Sequence, residues 1–481
     1  MTERTIELER KFTAPVDFSP DFSGLVEVAG SRRFFLEATY HDSLACLLAD
    51  TGWSLRRRVG GKDDGWHLKR PASGTGRTEV WAPDEPEVPE PMRQEVREVT
   101  GLAAIVPIAL VKTERVETSL TRDGVPVAAL ASDMVSATTS AGTDSWSEVE
   151  LELEKGAPAE LLDALVERLV AAGARPAPHT SKIARGLASV PRLRTPTDPG
   201  APARDVLLTW ASRQVGVLQA LQAGVRVDAP DHVHKSRVAT RRLRSLLKTF
   251  ADLFDGDRVE PLRTELRWLG EALGEPRDAE VLREEFGDLL AELGEDVPGE
   301  VRAAILGHLD SEHARAHAAL VAALASPRAQ ALRGALLDLL VNPPLRRRAD
   351  REAGSVLPRE REKGIREVRK LRRRAEAHPD DLETWHEIRK AAKAVRYATE
   401  AMADALPGMD AEVTVWEDVT EALGELQDTS VASDLIVTVA RKASADPDTG
   451  VWRVLRDAQV DRRAAALAAG REALAVALGK A

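Results

Sequence analysis

Cysteine is almost missing from this chain of 481 residues, with Cys46 the single thiol. That excludes an internal disulfide framework and any cysteine-rich zinc site, and it fits a reducing cytoplasm. Long hydrophobic runs are missing too. The longest nearly apolar stretch, Gly101 to Val111, is broken by Pro107 and is too short to span a bilayer. The amino terminus is charged from Glu3 onward and has no apolar leader core. There is no basic excess, since 67 Lys and Arg face 78 Asp and Glu for a net charge of −11. A surface devoted wholly to nucleic acid or acidic lipid is thereby excluded, although local basic stripes are not. Finally, no Gly-x-x-x-x-Gly-Lys-Ser/Thr phosphate loop occurs and no nucleoside pocket is legible.

The chain is too long for one core, and its texture changes once. Residues 1–190 read as short alternating strands punctuated by turns, including Gly60-Gly61, Gly74-Thr75-Gly76 and a hairpin at Asp123-Gly124. Helical segments are expected at 91–99 and 160–171. Residues 191–203 are proline-rich and aperiodic, which predicts a semi-rigid linker. From there to residue 481, Ala, Leu, Arg and Glu recur with helical period. The expected architecture is α+β and multidomain, with an antiparallel sandwich or closed barrel followed by an all-α region.

The charges of the first region sort by strand. In Thr5-Ile6-Glu7-Leu8-Glu9-Arg10-Lys11-Phe12, period two puts Glu7, Glu9 and Lys11 on one face. Two carboxylates one strand-step apart repel, and a basic partner or a bound cation must compensate them. The segment Ser147 to Glu154 lines up Glu148, Glu150, Glu152 and Glu154 in the same way. Bases concentrate on other strands: Arg56 with Arg58, then Lys69, Arg77, Lys112 and, allowing a bulge, Arg115. Such sorting suits a polar barrel lumen in which Arg and Lys clamp phosphoryl oxygens. Carboxylates cannot touch a polyanion directly, so they would hold a hard cation that bridges to it.

The residues Glu7-x-Glu9-x-Lys11, Tyr40-His41-Asp42, Leu55-Arg56-x-Arg58, Trp66-x-Leu68-Lys69, Arg77-x-Glu79 and Glu148-Val-Glu150-Leu-Glu152 resemble the CYTH domain of the triphosphate tunnel metalloenzymes. The resemblance covers residues 3–190. It implies an eight-stranded antiparallel tunnel that acts on triphosphates with Mg2+ or Mn2+. It implies Glu7, Glu9, Glu150 and Glu152 as metal ligands, with Glu148 and Asp133 beside them. Arg56, Arg58, Arg77, Lys69, Lys112, Arg115 and Lys182 would bind the phosphates. Lys11 and Glu9 would be catalytic, Lys11 holding the attacked phosphate or orienting water. The family's acidic pair near residue 133 is reduced here to Asp133.

The helical region repeats itself. His234-Lys-Ser-Arg237-Val-Ala-Thr-Arg241-Arg-Leu-Arg244 matches His386-Glu-Ile-Arg389-Lys-Ala-Ala-Lys393-Ala-Val-Arg396, and Leu273-Gly274-Glu-Pro-Arg277-Asp278 matches Leu423-Gly424-Glu-Leu-Gln427-Asp428. At helical period, His234, Arg237, Arg241, Arg244 and Lys248 form one stripe opposite Ala239, Leu243, Leu246 and Leu247. His386, Arg389, Lys393 and Arg396 reproduce it. No acid at i±4 pairs the first stripe's arginines, so a long polyanion is its natural ligand. Rings nearby are few, which disfavours nucleic acid.

This duplicated stripe is similar to the CHAD domain. The similarity implies two tandem four-helix units, about 204–340 and 345–481, that bind inorganic polyphosphate. Gln427 and Glu400 replace Arg277 and Lys248 in the second copy, which predicts weaker binding there. His313-Ala-Arg-Ala-His317 has metal-like spacing but no third ligand in view, and reads as surface. The expected function is therefore metal-dependent hydrolysis of inorganic triphosphate coupled to polyphosphate binding. The alternatives are adenylyl cyclisation in the same tunnel, or a polyphosphate-binding adaptor with an idle one. Oligomeric state is not legible.

Overall fold

The computed structural model describes residues 3–15, 18–61, 63–71, 77–179, 181–378 and 381–480, with the side chains of residues 3–7, 77 and 480 left out. The chain forms two compact units, Met1–Leu193 and Arg194–Ala481. Among the described residues no helix is long and apolar enough to cross a membrane.

The first unit is built on one antiparallel sheet. Its strands are β1 (Glu3–Glu7), β2 (Glu9–Thr13), β3 (Glu27–Asp42), β4 (Ser54–Val59), β5 (Gly65–Pro71), β6 (Arg77–Ala82), β7 (Val106–Arg122), β8 (Val125–Thr139), β9 (Gly142–Leu153) and β10 (Arg175–Pro176). Their order is β1-β6-β5-β4-β3-β7-β8-β9-β2-β10. Eight strands in a closed ring were expected, whereas among the described residues there are ten and their order has two ends. The difference arises in the opening segment, which splits at Leu8. Its first half pairs with β6 and its second half with β9. At the switch the Leu8 carbonyl accepts from the Leu153 N–H at 3.1 Å. One covalent segment thus joins the two sides of the sheet.

Strand β7 runs unbroken through 106–122 because no turn residue interrupts it, longer than the short strands expected. Its hairpin to β8 turns at Asp123 and Gly124, both with positive φ (54° and 77°), as an Asp-Gly type I′ turn requires. Helix α1 (Leu47–Asp50) and helix α2 (Glu90–Thr100) cover β4–β6, where Leu48, Met92 and Val96 pack with Leu55, Trp66, Leu68 and Val80. Helix α3 (Ala159–Ala171) covers β9 and β2 with Leu161, Leu162, Leu165 and Leu169 against Phe12, Val149 and Leu151. Short α4 (Lys182–Gly186) packs Ile183 among Tyr40, Val111 and Ala137 on the sheet's other face. With outward faces hidden by helices, the polar residues of alternate positions are left to line an interior.

The second unit is all-α. Helices α5 (Ala203–Arg226), α6 (His232–Thr249), α7 (Gly256–Ala272), α8 (Gly274–Leu293), α9 (Gly299–Leu324) and α10 (Pro327–Val341) are followed by α11 (Ala353–Ala377), α12 (Leu382–Met402), α13 (Met409–Lys442) and α14 (Gly450–Lys480). Among the described residues the second half has the four helices expected and the first has six. There α7 and α8 meet end to end at Leu273, where unbroken α13 carries Leu423, and α10 is additional. The starts of the halves are tied together. The Ala203 N–H donates to the Arg351 carbonyl and the Ala353 N–H to the Ala201 carbonyl, both at 2.8 Å. The end of the proline-rich stretch is therefore held by backbone bonds rather than free.

Candidate functional site

Strand parity brings Glu9, Lys11, Arg56, Arg58, Lys69, Glu79, Arg115, Glu150 and Glu152 to the wall of one cavity of ≈ 220 Å³, and the start of α4 adds Lys182. Register does the positioning: Glu9 lies opposite Glu152 and Lys11 opposite Glu150 on β2 and β9. On the other wall Lys69 lies opposite Glu79, and Tyr40 opposite Arg56.

The acids divide into two groups. Lys182 Nζ sits 2.9 Å from Asp133 Oδ2, 2.7 Å from Glu148 Oε1 and 2.7 Å from Glu150 Oε1. Arg115 clamps Asp133 through Nε and Nη2 at 2.8 Å each and also pairs with Glu150. Lys11 pairs with Glu150 as well. Burial alone would raise the Glu150 carboxyl, but Lys11, Lys182 and Arg115 hold it well below its usual range. Burial disfavours the charge on Lys182, yet Glu150, Asp133 and Glu148 more than offset it and raise its pKa. These three carboxylates could be drawn around a divalent cation by their mutual distances alone. They do not fit one in this arrangement, because an ammonium already stands at their centre.

The Glu9–Glu152 pair is different. Among the described residues no cation lies within ion-pair distance of Glu152, and Glu9 has only Lys11 at 3.6 Å. Burial raises the Glu152 carboxyl, Lys69 lowers it, and Glu9 and Glu150 raise it further. An under-compensated carboxylate pair on one wall is a fit for a hard divalent cation.

The bases opposite are under-compensated in the reverse sense. Arg56 has Tyr40 Oη at 3.2 Å and Glu79 Oε1 at 4.0 Å, while Arg58 has Asp63 Oδ1 at 2.5 Å. The Nε atoms of Arg56 and Arg58 are buried without a hydrogen-bond partner. Burial, then Arg56 itself, lowers the Arg58 pKa. Burial would raise the Tyr40 phenol, but Arg56, with Lys182 and Lys11, brings it below its ordinary value. Donors without acceptors and guanidinium beside guanidinium call for an anion.

Lys112 is not brought to the cavity. The β3–β7 and β7–β8 registers run without a bulge through this stretch, so Lys112 falls on the face opposite Arg115. It is 63% exposed and pairs with Glu37 at 3.2 Å. The side chains of Glu7 and Arg77 lie outside the described residues. The reading by sequence did not assign Glu79 to the site. Its carboxylate joins His67 (2.8 Å), Lys69 (3.5 Å) and Arg56, and the alternation Arg77-x-Glu79 was its only signal.

In the helical unit, α6 and α12 bring their stripes together. Arg241 Nε donates to Tyr397 Oη at 2.9 Å. Burial lowers the Lys393 ammonium to about 6, and Arg389, Arg241 and Arg237 act in the same sense against Asp428. Burial also lowers Arg389, opposed by Asp428 and reinforced by Arg241 and Arg237. His234 and His386 are lowered, first by burial and then chiefly by neighbouring cations: Arg277, Arg241 and Arg237 for one, Lys390, Arg389 and Lys393 for the other. Arg389 Nε and His386 Nδ1 are buried with no partner. Three stripe residues stand apart. Arg396 is consumed by Glu400 (3.0 Å), Glu417 and Thr420 (3.2 Å). Arg244 is lowered by burial and by Arg267 and Arg263 on α7, and Lys248 is exposed.

The repeated Leu-Gly-x-x-x-Asp now has a physical meaning. Asp278 accepts from Arg237 at 2.6 Å, and Asp428 acts on Arg389 and Lys393. A Cβ at Gly274 would stand 3.7 Å from the Arg237 guanidinium, and one at Gly424 2.8 Å from that of Arg389. In each copy the glycine leaves room for the arginine and the aspartate faces it.

The CYTH domain family matches residues 5–187 and the CHAD domain family residues 209–437. Uncharacterized proteins from two Mycobacterium tuberculosis strains, H37Rv and CDC 1551, are each 33% identical over 95% of this chain and 93% of their own length. Among solved structures, PptA from Streptomyces chartreusis is 23% identical with a TM-score of 0.49, covering 57% of this chain and 99% of its own. The CHAD domain from the plant Ricinus communis is 22% identical with a TM-score of 0.48, covering 60% and 96%. The chain belongs to the family that joins a CYTH domain to a CHAD domain.

Proposed function

We propose that the first unit hydrolyses inorganic triphosphate with Mg2+ or Mn2+ and that the helical unit binds inorganic polyphosphate. The observation that carries the first half is the pairing of opposite deficits across one cavity: Glu9 and Glu152 short of a cation, Arg56 and Arg58 short of an anion. Glu9 and Glu152 would hold the cation, which would neutralise phosphoryl charge and polarise the bond to be cut. Arg56, Arg58, Lys69 and Arg115 fix the phosphate chain by charge-assisted hydrogen bonds. Lys11, between Glu9 and Glu150, is placed at the junction of the two groups and serves the phosphate nearest the cation. Among the described residues Phe34 and Tyr40 are the only six-membered aromatic rings on the cavity wall, and Tyr40 is engaged by Arg56. That lining offers little to a nucleobase and supports an inorganic substrate over ATP.

The second half rests on Arg237, Arg241, Arg389 and Lys393 converging from two helices, with His234 and His386 beside them. The test is phosphate release from tripolyphosphate, ATP and long-chain polyphosphate with Mg2+ or Mn2+, for the natural protein and Glu9→Gln. Release from tripolyphosphate that the variant loses supports the reading. Cyclic AMP from ATP, or polyphosphate binding with no turnover of any substrate, overturns it.

A further inference from the structure

We propose that Asp228, Glu280 and His313 form a second, separate metal site in the helical unit, selective for a borderline transition cation of the Zn2+ type. The three residues come from the turn between α5 and α6, from α8 and from α9, and their ligand atoms lie within 4.8 Å of one another. The histidine that showed no third ligand along the chain therefore acquires two carboxylates through the fold.

The hydrogen bonding of His313 points to a cation. Its Nδ1 is 3.2 Å from the Pro276 carbonyl and its Nε2 is 2.7 Å from Asp228 Oδ2. Both neighbours are acceptors, and a neutral imidazole has one N–H to offer. Either a second proton or a cation must therefore mediate one of these contacts. With the proton on Nδ1, directed at a backbone carbonyl, the Nε2 lone pair faces Asp228, the arrangement that orients metal-bound histidines.

Distances permit the exchange. Tetrahedral bonds of about 2.0 Å set nitrogen and oxygen ligands about 3.3 Å apart. Asp228, now 2.7 Å away, must then withdraw by about 0.6 Å to reach that separation, and it is exposed on a turn. Glu280 accepts from Arg277 Nη1 through Oε2 at 2.9 Å, and its other oxygen is uncommitted among the described residues. His317, one helical turn beyond His313 with its ring stacked at 6.2 Å, donates through Nε2 to the Val225 carbonyl at 2.8 Å. It walls the site at 3.8 Å from Asp228 Oδ1. Three protein ligands leave a fourth position for water or another donor. One imidazole among carboxylates favours Zn2+ or Co2+, whereas the oxygen-only pair Glu9 and Glu152 favours Mg2+ or Mn2+.

That chemical contrast supplies the test. The full-length protein in excess Mg2+, which occupies oxygen-only sites, is titrated with Co2+ by visible absorption and with Zn2+ by calorimetry. The expected result is ligand-field absorption from Co2+ and a Zn2+ equivalent that both disappear in His313→Gln. In Glu280→Gln, which keeps the His313–Asp228 pair, affinity is expected to fall about tenfold or more. Melting temperature should rise with Zn2+ in the natural protein and not in His313→Gln. Equal Co2+ spectra and Zn2+ stoichiometry in all three proteins overturn the proposal. So does a loss of melting temperature in His313→Gln without any Zn2+ dependence in the natural protein, which would make His313 an imidazolium clamp.

Discussion

Gly424 passes so close to Arg389 that a Cβ on it would stand 2.8 Å from the guanidinium Nη2. Real Cβ atoms essentially never make so short a contact, so Gly424→Ala must shift the Arg389 guanidinium, the far end of a flexible side chain, within the cluster it shares with Lys393, Arg241 and Arg237. At Gly274 the corresponding distance to Arg237 is 3.7 Å, an ordinary van der Waals contact. Calorimetric titration with polyphosphate should therefore show about tenfold weaker binding for Gly424→Ala, an effect of about 1.4 kcal/mol, and little change for Gly274→Ala. Equal effects at the two positions would show that Arg389 does not hold the ligand.

Lys393 sets a pH dependence. Its pKa of about 6 in the folded protein lies below its ordinary 10.5, so between those values the unfolded chain binds a proton that the folded chain does not. Its contribution to stability accordingly rises with pH across that window. A bound polyanion stabilises the ammonium, so binding takes up a proton and affinity increases as pH falls from 8 toward 6, by at most about tenfold per unit. Glu285, pushed up to about 7 by burial and by Asp428, Glu284 and Glu425 against Arg462, acts in the same direction as it protonates. Lys393→Met and Glu285→Gln should each flatten the affinity profile in part, and the double variant should flatten it further. A steep profile surviving in the double variant would assign the titration elsewhere.

Lys182 is the internal counter-ion of three carboxylates. Removing one partner from a buried ionic group costs about 3–5 kcal/mol, and Lys182→Met should lose that much by denaturant titration at neutral pH. The folded-state pKa of Glu150 is depressed, so the stability from this cluster is present above about 4.5 and lost as pH falls below it. The deficit of the variant should consequently narrow under acid. A deficit independent of pH would mean that Lys182 contributes packing and not charge.

Lys112 and Arg115 lie on opposite faces of β7 because they are three strand steps apart, an odd number. Lys112→Ala should leave phosphate release from tripolyphosphate within about twofold of the natural protein, while Arg115→Ala should reduce it severely, through Asp133 and Glu150 as much as through lost phosphate contact. A strong loss at Lys112 would require a bulge that the registers on both sides of β7 do not contain.

Much of the site was legible along the chain because strand alternation and helical period assign side chains to faces before any tertiary contact exists. Glu9, Lys11, Arg56, Arg58, Lys69, Glu150 and Glu152 reach the cavity on parity alone, and the stripe repeated at His234 and His386 fell on paired helices for the same reason. Parity fails only where it is interrupted. Lys112 shares a face with Arg115 only if a bulge lies between them, which β7 lacks, and the opening strand changes partners at Leu8, which nothing in its alternation foretells.

What period cannot decide is which charges neutralise one another, since that depends on distances across strands and helices far apart in sequence. Glu148, Glu150 and Glu152 are alike in the chain, yet Lys182 from a separate short helix engages the first two and leaves the third to pair with Glu9. Arg396 continues its stripe and is nonetheless spent on Glu400 and Glu417. Asp228 and Glu280 carry no local mark of a relation to His313. Reading along the chain sufficed for the families, for the division into a sheet unit and a helical unit, and for the faces that carry charge. Tertiary structure alone decided which of those charges are left without a partner, because Coulomb energy and desolvation act through space and not along the chain.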